Sequence, residues 1–242
     1  MKKISKNSPR ATQKSIAKKT QRPTPAQRRR VEEIFTRFSK ASPNPKGELY
    51  YTNPFTLLVA VVLSAQATDV GVNKATHKLF TLADTPEKIL ELGEARLKSL
   101  IQTIGLFRTK AKHIMALCQT LVNEYGSQTP QSREALMSLP GVGRKTANVV
   151  MNIAFHKPTI AVDTHIFRLS NRLPLAPGKT PQEVEDGLMG LIPERFLLHA
   201  HHWLILHGRY VCKARRPECD HCIIFDLCNS KEKTSNLKAT VK

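Results

Sequence analysis

The chain has 242 residues, with 38 Lys+Arg against 19 Asp+Glu, a formal net charge of +19. Residues 1–30 carry eleven basic side chains and no acidic one, and the other 212 residues carry 27 basic against 19 acidic. Such an excess points to an anionic polymer or surface (DNA, RNA or a membrane face) and argues against an acidic protein partner or a simple metabolite enzyme.

Residues 1–24 form a low-complexity basic segment with no apolar stretch behind its charges, so it reads as a disordered tail and not as a secretory signal. Its Ser, Thr and Arg and lack of acids leave an organellar transit peptide as the alternative. The first periodic helix follows, with Val31, Ile34, Phe35 and Phe38 at i, i+3, i+4 and i+7. Residues 40–53, with Pro43, Pro45 and Gly47, form a loop. Asn53-Pro54 caps a helix expected to run to about Ser64. Its stretch from Phe55 to Leu63 is the longest apolar run and is too short to span a membrane. Thr68-Asp69 can cap a helix through Phe80. Thr85-Pro86 opens another, which Gly93 breaks before a further helix to about Thr103. Gly105 turns the chain into a long helix from Phe107 to Tyr125, stopped by Gly126. Ser132 caps a short helix ending at Leu139, Thr180-Pro181-Gln182-Glu183 is another capped start, and Leu197 to Tyr210 is a further helix. No stretch sustains the alternation of a strand. The fold class is therefore all-α, with about ten or more short helices.

Between two helical patterns, residues 139–147 read Leu-Pro-Gly-Val-Gly-Arg-Lys-Thr-Ala. Gly141 and Gly143 permit left-handed or close-approach backbone, and such a turn aims the N–H groups of Gly141, Val142 and Gly143 outward at a helix N-terminus, a phosphate site. A tight connection with glycines for steric reasons alone is the plainer reading of a lone Gly-x-Gly. Arg144 and Lys145 shift the balance toward DNA. Lys145 sits in a first helical turn, where the dipole, the neighbouring Arg144 and partial burial all favour a neutral amine. A neutral amine can form a Schiff base with a sugar aldehyde, whereas a charged one would contact phosphate. Asp163 precedes an apolar helical segment and by itself reads as an N-cap.

Four of the five cysteines, Cys212, Cys219, Cys222 and Cys228, fall within seventeen positions with the spacing C-x6-C-x2-C-x5-C. That suits one tetrahedral zinc or one cubane cluster in a reducing compartment, and the spacing alone does not choose. His221 could replace a cysteine as ligand. Lys213, Arg215 and Arg216, between the first two cysteines, suit contact with a DNA backbone. Cys118 reads as an ordinary buried thiol.

Taken together, Leu139–Ala147, Val162-Asp163-Thr164-His165, His201-His202-Trp203-Leu204-Ile205-Leu206-His207-Gly208 and the C-terminal cysteines resemble the endonuclease III family of helix–hairpin–helix DNA glycosylases. Leu63–Asp69 and Thr103-Ile104-Gly105-Leu106 extend the resemblance, which covers about residues 28–230. It implies a two-lobed all-α fold. Residues 47–157 would form a helical lobe with the hairpin. Residues 25–46 and 158–230 would form the cluster lobe, and residues 231–242 a flexible tail. It also implies a bifunctional enzyme that removes oxidised or ring-damaged pyrimidines and cuts the abasic site by β-elimination. Lys145 would attack the deoxyribose, with Asp163 assisting. Gln66 and Leu106 would fill the space left by the extruded nucleotide, and Asp69 would either face the pocket or cap its helix. Arg144 and His165 would support the site or contact phosphate. The resemblance implies that the four cysteines hold a [4Fe-4S] cluster. The expected partner is double-stranded DNA with damaged bases or abasic sites, with no membrane, for a monomer of the bacterial cytoplasm associated with the nucleoid. The tail is expected to add salt-sensitive, non-specific affinity. Deleting residues 1–24 should flatten the salt dependence of DNA binding and leave single-turnover cleavage nearly intact; collapse of cleavage would give the tail a place in the active complex.

Overall fold

The computed structural model describes residues 23–233, and among them every regular element is helical. The disordered-tail reading of residues 1–24 lies almost wholly outside the described residues, as does most of the expected tail at 231–242.

Threonine, asparagine and serine caps fix most helix starts. Thr24 Oγ1 accepts from the Gln27 amide at 3.2 Å and opens α1, Pro25–Ala41. Val31, Ile34, Phe35 and Phe38 are all buried on one face of it, each worth on the order of 2 kcal/mol against exposure. Asn53 and Thr56 form a reciprocal capping box at α2, Pro54–Ser64, whose residues 55–63 are all buried. Thr68 caps α3, Asp69–Leu82, and Thr85 caps α4, Pro86–Ile101. Inside α4, Gly93 takes φ 76°, ψ 159°, so the glycine breaks the helix where the sequence places a breaker. Then come α5, Phe107–Tyr125, and α6, Arg133–Ser138, capped by Ser132. The remaining helices are α7, Arg144–Phe155, α8, Thr164–Arg172, α9, Pro181–Leu191, and α10, Glu194–Leu206. The expected helix to Tyr210 ends early. After Leu206 the backbone widens into a π-helical turn, His207–Val211. A Cβ on Gly208 would lie 3.1 Å from the His165 carbonyl oxygen, so a glycine lets this turn lie close against α8 and any side chain there would push the two apart by a few tenths of an ångström.

Two apolar cores result. One is built from residues of α2 to α7, from Phe55 to Val150. The other joins the buried face of α1 to residues from Ile160 to Ile224. A small cluster of Leu57, Val61, Val149 and Ala161 lies on α2, α7 and the segment between α7 and α8.

Candidate active site

Leu57, Val61 and Val149 of that small cluster also line a pocket of about 100 Å³, together with Lys145, Asp163, Asp69, Arg209, His201 and His202. That volume is several times what one water needs, so it admits several waters or a planar ring. Lys145 is the second residue of α7, beside the N-cap Gly143, which has no side chain to occupy the amides. It is an exposed residue, not the partly buried one its position suggests, because the pocket opens at the helix end. Asp163 is half-buried and caps α8, its Oδ1 accepting from the Ile166 amide at 2.8 Å. The capping bond fixes the carboxylate of a residue that lines the same pocket as Lys145.

Two asparagines set that relation. Asn148 and Asn152 follow Lys145 on the buried side of α7. The Asn148 side-chain amide donates to Ile160 O at 3.2 Å, and that of Asn152 to Thr159 O at 3.1 Å and Leu198 O at 3.0 Å. Thr159 Oγ1 returns a bond to Asn148 O at 2.6 Å. The chain leading to Asp163 is thereby fastened to the helix that carries Lys145. Sequence reasoning missed both residues; the available signal was two amides four apart on an apolar helix face.

The hairpin is more selective than its glycines imply. Gly141 has φ 78°, and a Cβ there would lie 2.9 Å from His113 Cβ, so this position requires glycine. Gly143 has φ −96° and open space around it. Val142 departs from expectation. Its side chain is in the core at 7 % exposure and its amide donates to Leu139 O at 3.1 Å, so it offers nothing outward. Gly141 and Gly143 are left to carry any phosphate contact. Arg144 is committed as well: Nε and Nη2 each donate to the buried Glu185 carboxylate at 2.9 Å. Replacing Arg144 by Ala leaves Glu185 with only Arg133, at 3.6 Å. Because the Arg144 side chain is about one-third exposed, the expected cost is about 1–2 kcal/mol, or roughly 2–8 °C in melting temperature. A tenfold loss of DNA affinity at unchanged stability would instead make Arg144 a phosphate contact.

Gln66 and Leu106 both adopt left-handed backbone, φ 53° and 61°, and both are exposed, Leu106 at 61 %. Their loops adjoin: a Cβ on Gly105 would lie 3.7 Å from the Gln66 carbonyl oxygen. Lys110, buried on α5, donates from Nζ to Leu63 O at 2.9 Å and so ties the end of α2 to the helix that Leu106 begins. Burial holds that lysine below its usual pKa. Asp69 faces the pocket, and its helix is capped by Thr68, not by Asp69. His165 packs beneath Gly208.

His201 and His202 are buried in the pocket wall, and each has a buried Nδ1 without a partner. Burial pushes them down to about 3 and about 4, with further lowering from each one's charged or histidine neighbours. The unfolded chain takes up protons near pH 6.5 while the folded one does not, so stability is full above 6.5 and falls as pH drops toward 4. The expected slope is up to about 1.4 kcal/mol per pH unit for each histidine. Denaturant titrations at pH 7 and 5 measure it; equal stabilities would contradict neutral burial.

Cys212, Cys219, Cys222 and Cys228 line one hollow, with Leu173, Val211 and Phe225 beside them, and all are free thiols. Among the described residues no three His, Cys, Asp or Glu side chains are disposed to hold a single metal ion. Four thiols around one apolar hollow fit a multi-atom cluster better than a lone zinc. His221 is exposed, and Cys118 is fully buried, its thiol pushed up to about 12 by that burial. Arginines from the second core hold the loop: Arg172 donates to Lys213 O at 2.7 Å and Ala214 O at 2.9 Å, and Arg30 to Leu227 O at 2.7 Å. Lys213 pairs with Glu218, whereas Arg215 and Arg216 are exposed.

Residues 59–194 match the family of HhH-GPD superfamily base excision DNA repair proteins. Endonuclease III of Rickettsia conorii is 61 % identical over 199 residues, 82 % of this chain and 95 % of that relative. The chain belongs to the endonuclease III family. Endonuclease III of Escherichia coli K12 is 56 % identical over 201 residues, 83 % of this chain and 95 % of that protein. A solved structure of a trapped endonuclease III–DNA covalent intermediate, an estranged-adenine complex, superposes with a TM-score of 0.78 at 44 % identity. The match covers 84 % of this chain and 95 % of that one. Residues 212–228 match the iron-sulfur binding domain of endonuclease III, so the hollow belongs to a family that carries a [4Fe-4S] cluster. The all-α, helix–hairpin–helix expectation agrees with the endonuclease III fold.

Proposed function

We propose that Lys145 is the nucleophile and Asp163 its electrostatic partner in a base-excision DNA glycosylase that also cleaves abasic sites, the bifunctional activity of the endonuclease III family. The observation that carries this is their meeting in one pocket, each at the N-terminus of its own helix. The substrate is duplex DNA with an oxidised or ring-damaged pyrimidine. The nucleotide leaves the stack at a cost of a few kcal/mol, and Gln66 and Leu106 occupy the gap. The Lys145 amine attacks C1′ with its lone pair, the glycosidic bond breaks toward the base, and the proton that the attacking nitrogen gives up goes to the departing base. Asp163 stabilises the positive charge that develops on the sugar. The ring opens to a Schiff base on Nζ, a C2′ proton is lost, and the 3′ phosphate leaves by β-elimination. The exposure of Lys145 suits a nucleophile that must meet a large substrate.

Cys212, Cys219, Cys222 and Cys228 hold the [4Fe-4S] cluster, whose contribution is to pin the loop that presents Arg215 and Arg216, with Lys213, to the DNA backbone. Gly141 and Gly143 grip the backbone from the hairpin. The hairpin lobe comprises residues 47–157 and the cluster lobe residues 25–46 and 158–230. The enzyme works as a monomer in the bacterial cytoplasm, associated with the nucleoid. Borohydride trapping on a duplex with a defined abasic site tests the reading: a covalent adduct supports it, and absence of adduct with the intact protein overturns it.

A further inference from the structure

We propose that Glu185 is a positioning residue for the chemistry at Lys145, a buried carboxylate that holds the first turn of α7 against the part of the fold that carries Asp163. The inference rests on the reading of Lys145 as the nucleophile. Glu185 lies on α9, whose Val184, Leu188 and Leu191 belong to the second core. That helix packs against α8, which Asp163 caps. What Glu185 grips belongs to the other core. Arg133 is the first residue of α6 and Arg144 the first of α7, and Leu136 and Ala147 of those helices lie in the first core. One carboxylate therefore takes the starts of both helices that flank the hairpin. Arg144 gives it two bonds of 2.9 Å, and Arg133 Nη2 lies 3.6 Å from the same Oε1 that one of them uses.

The start of α7 needs such a hold. Gly143 offers no side-chain cap and the first turn has no acidic residue, so its amides lack helical partners and this is the end of the helix that opens first. Lys145 sits in that turn. Asn148 and Asn152 do fasten α7, but three and seven positions further on. The paired bonds on Arg144 secure the residue immediately before Lys145. A guanidinium fork on a carboxylate is directional as well as strong, so it sets where the helix begins and which way it faces. The same contact has an electrostatic side. Two arginines beside the hairpin are the side chains best suited to take a phosphate, yet Glu185 turns both away from that use. Removing its charge should therefore move rate and DNA affinity in opposite directions, which a general loosening of the fold would not do.

Glu185→Gln keeps the shape and removes the charge, and its amide cannot accept both guanidinium bonds without aiming its own N–H groups at the arginine. At saturating protein, well below the variant's melting temperature, single-turnover excision of a ring-saturated pyrimidine should fall roughly 10- to 100-fold, the scale of a misplacement of about 1 Å. Borohydride trapping on a preformed abasic site should fall alongside it, because both reactions run through Lys145. Binding of undamaged duplex should instead tighten, with a log–log salt dependence steeper by about one for each phosphate that a freed arginine takes up. Arg144→Met should lose rate in the same way with binding little changed, and Arg144→Lys, cationic but without the fork, should recover part of that rate. The double variant Arg144→Met with Glu185→Gln should lose no more than the worse single one, as expected of two groups acting through one contact.

Unchanged rates in Glu185→Gln would leave only a stabilising ion pair, and rate and affinity falling together would mean that the carboxylate maintains the fold and not the position. Either result overturns the proposal, as would multiplying losses in the double variant. Should Glu185→Gln not fold, Arg144→Met and Arg144→Lys make the same comparison of rate with affinity. A wild type that forms no adduct on abasic DNA would sink the assignment of Lys145, whereas a wild type that forms it alongside unchanged variant rates would sink the positioning role alone.

Discussion

Lys145→Gln abolishes the borohydride-trapped adduct and lowers lesion excision at least about a thousandfold, the scale on which removal of a covalent nucleophile acts. Binding of lesion DNA is expected to stay within a few-fold, since the hairpin amides and the cluster loop are untouched. The same substitution makes the protein no less stable. Lys145 places a cation at the positive end of α7, where the first turn holds no acidic residue and Gly143 provides no side-chain cap. Removing that charge should stabilise by roughly 0.3–1 kcal/mol, which melting in low salt reads directly. A function bought at the expense of local stability is what a catalytic lysine here requires. Retained trapping would assign the Schiff base to another lysine, and a large drop in melting temperature would mean that Lys145 is structural.

Asp163→Asn separates the two tasks of one carboxylate. Asparagine caps a helix about as well as aspartate, so the bond to the Ile166 amide survives and folding should change little. The charge beside the sugar is lost, and excision should fall by roughly 10²–10⁴-fold. Asp163→Ala adds the loss of the cap, about 1 kcal/mol or roughly 2–4 °C of melting temperature. Single-turnover rates and melts of the two variants test this as a pair. Full activity in Asp163→Asn would leave only the capping role, and an equal loss of stability in both would make the activity loss uninformative about charge.

Helix starts were legible because they rest on local chemistry: Asn53, Thr68, Thr85, Ser132 and Thr180 each cap the helix that follows them, whereas Thr24, read as the end of the tail, turns out to cap α1. The break at Gly93 was legible for the same reason. The widening at His207–Val211 was not, since it depends on what Gly208 meets across the fold. Arg209 lies 140 residues from Asp69 and 161 from Glu48, and a pairing at that separation leaves no spacing to read. Arg144 illustrates the converse case. In a chain of +19 it reads as a DNA contact, yet Glu185, forty-one residues on, takes up its guanidinium. Arg30 and Arg172 likewise spend their donors on backbone carbonyls. Net charge therefore overstates how many cations face outward, and only the fold separates those that bind from those that brace.

The path of the chain through its two cores also bears on synthesis. The apolar face of α1 packs against residues that begin at Ile160 and end at Ile224, whereas the core from Phe55 to Val150 is contiguous. A ribosome moving from the N-terminus delivers the contiguous core whole while Val31, Ile34, Phe35 and Phe38 still lack their partners. At about 5–20 residues per second, translation from the first of those partners to the last takes roughly 3–13 s. Throughout that interval a greasy stripe is bare on the nascent protein. Folding is ordered by birth, with the inserted half complete before the half that encloses it.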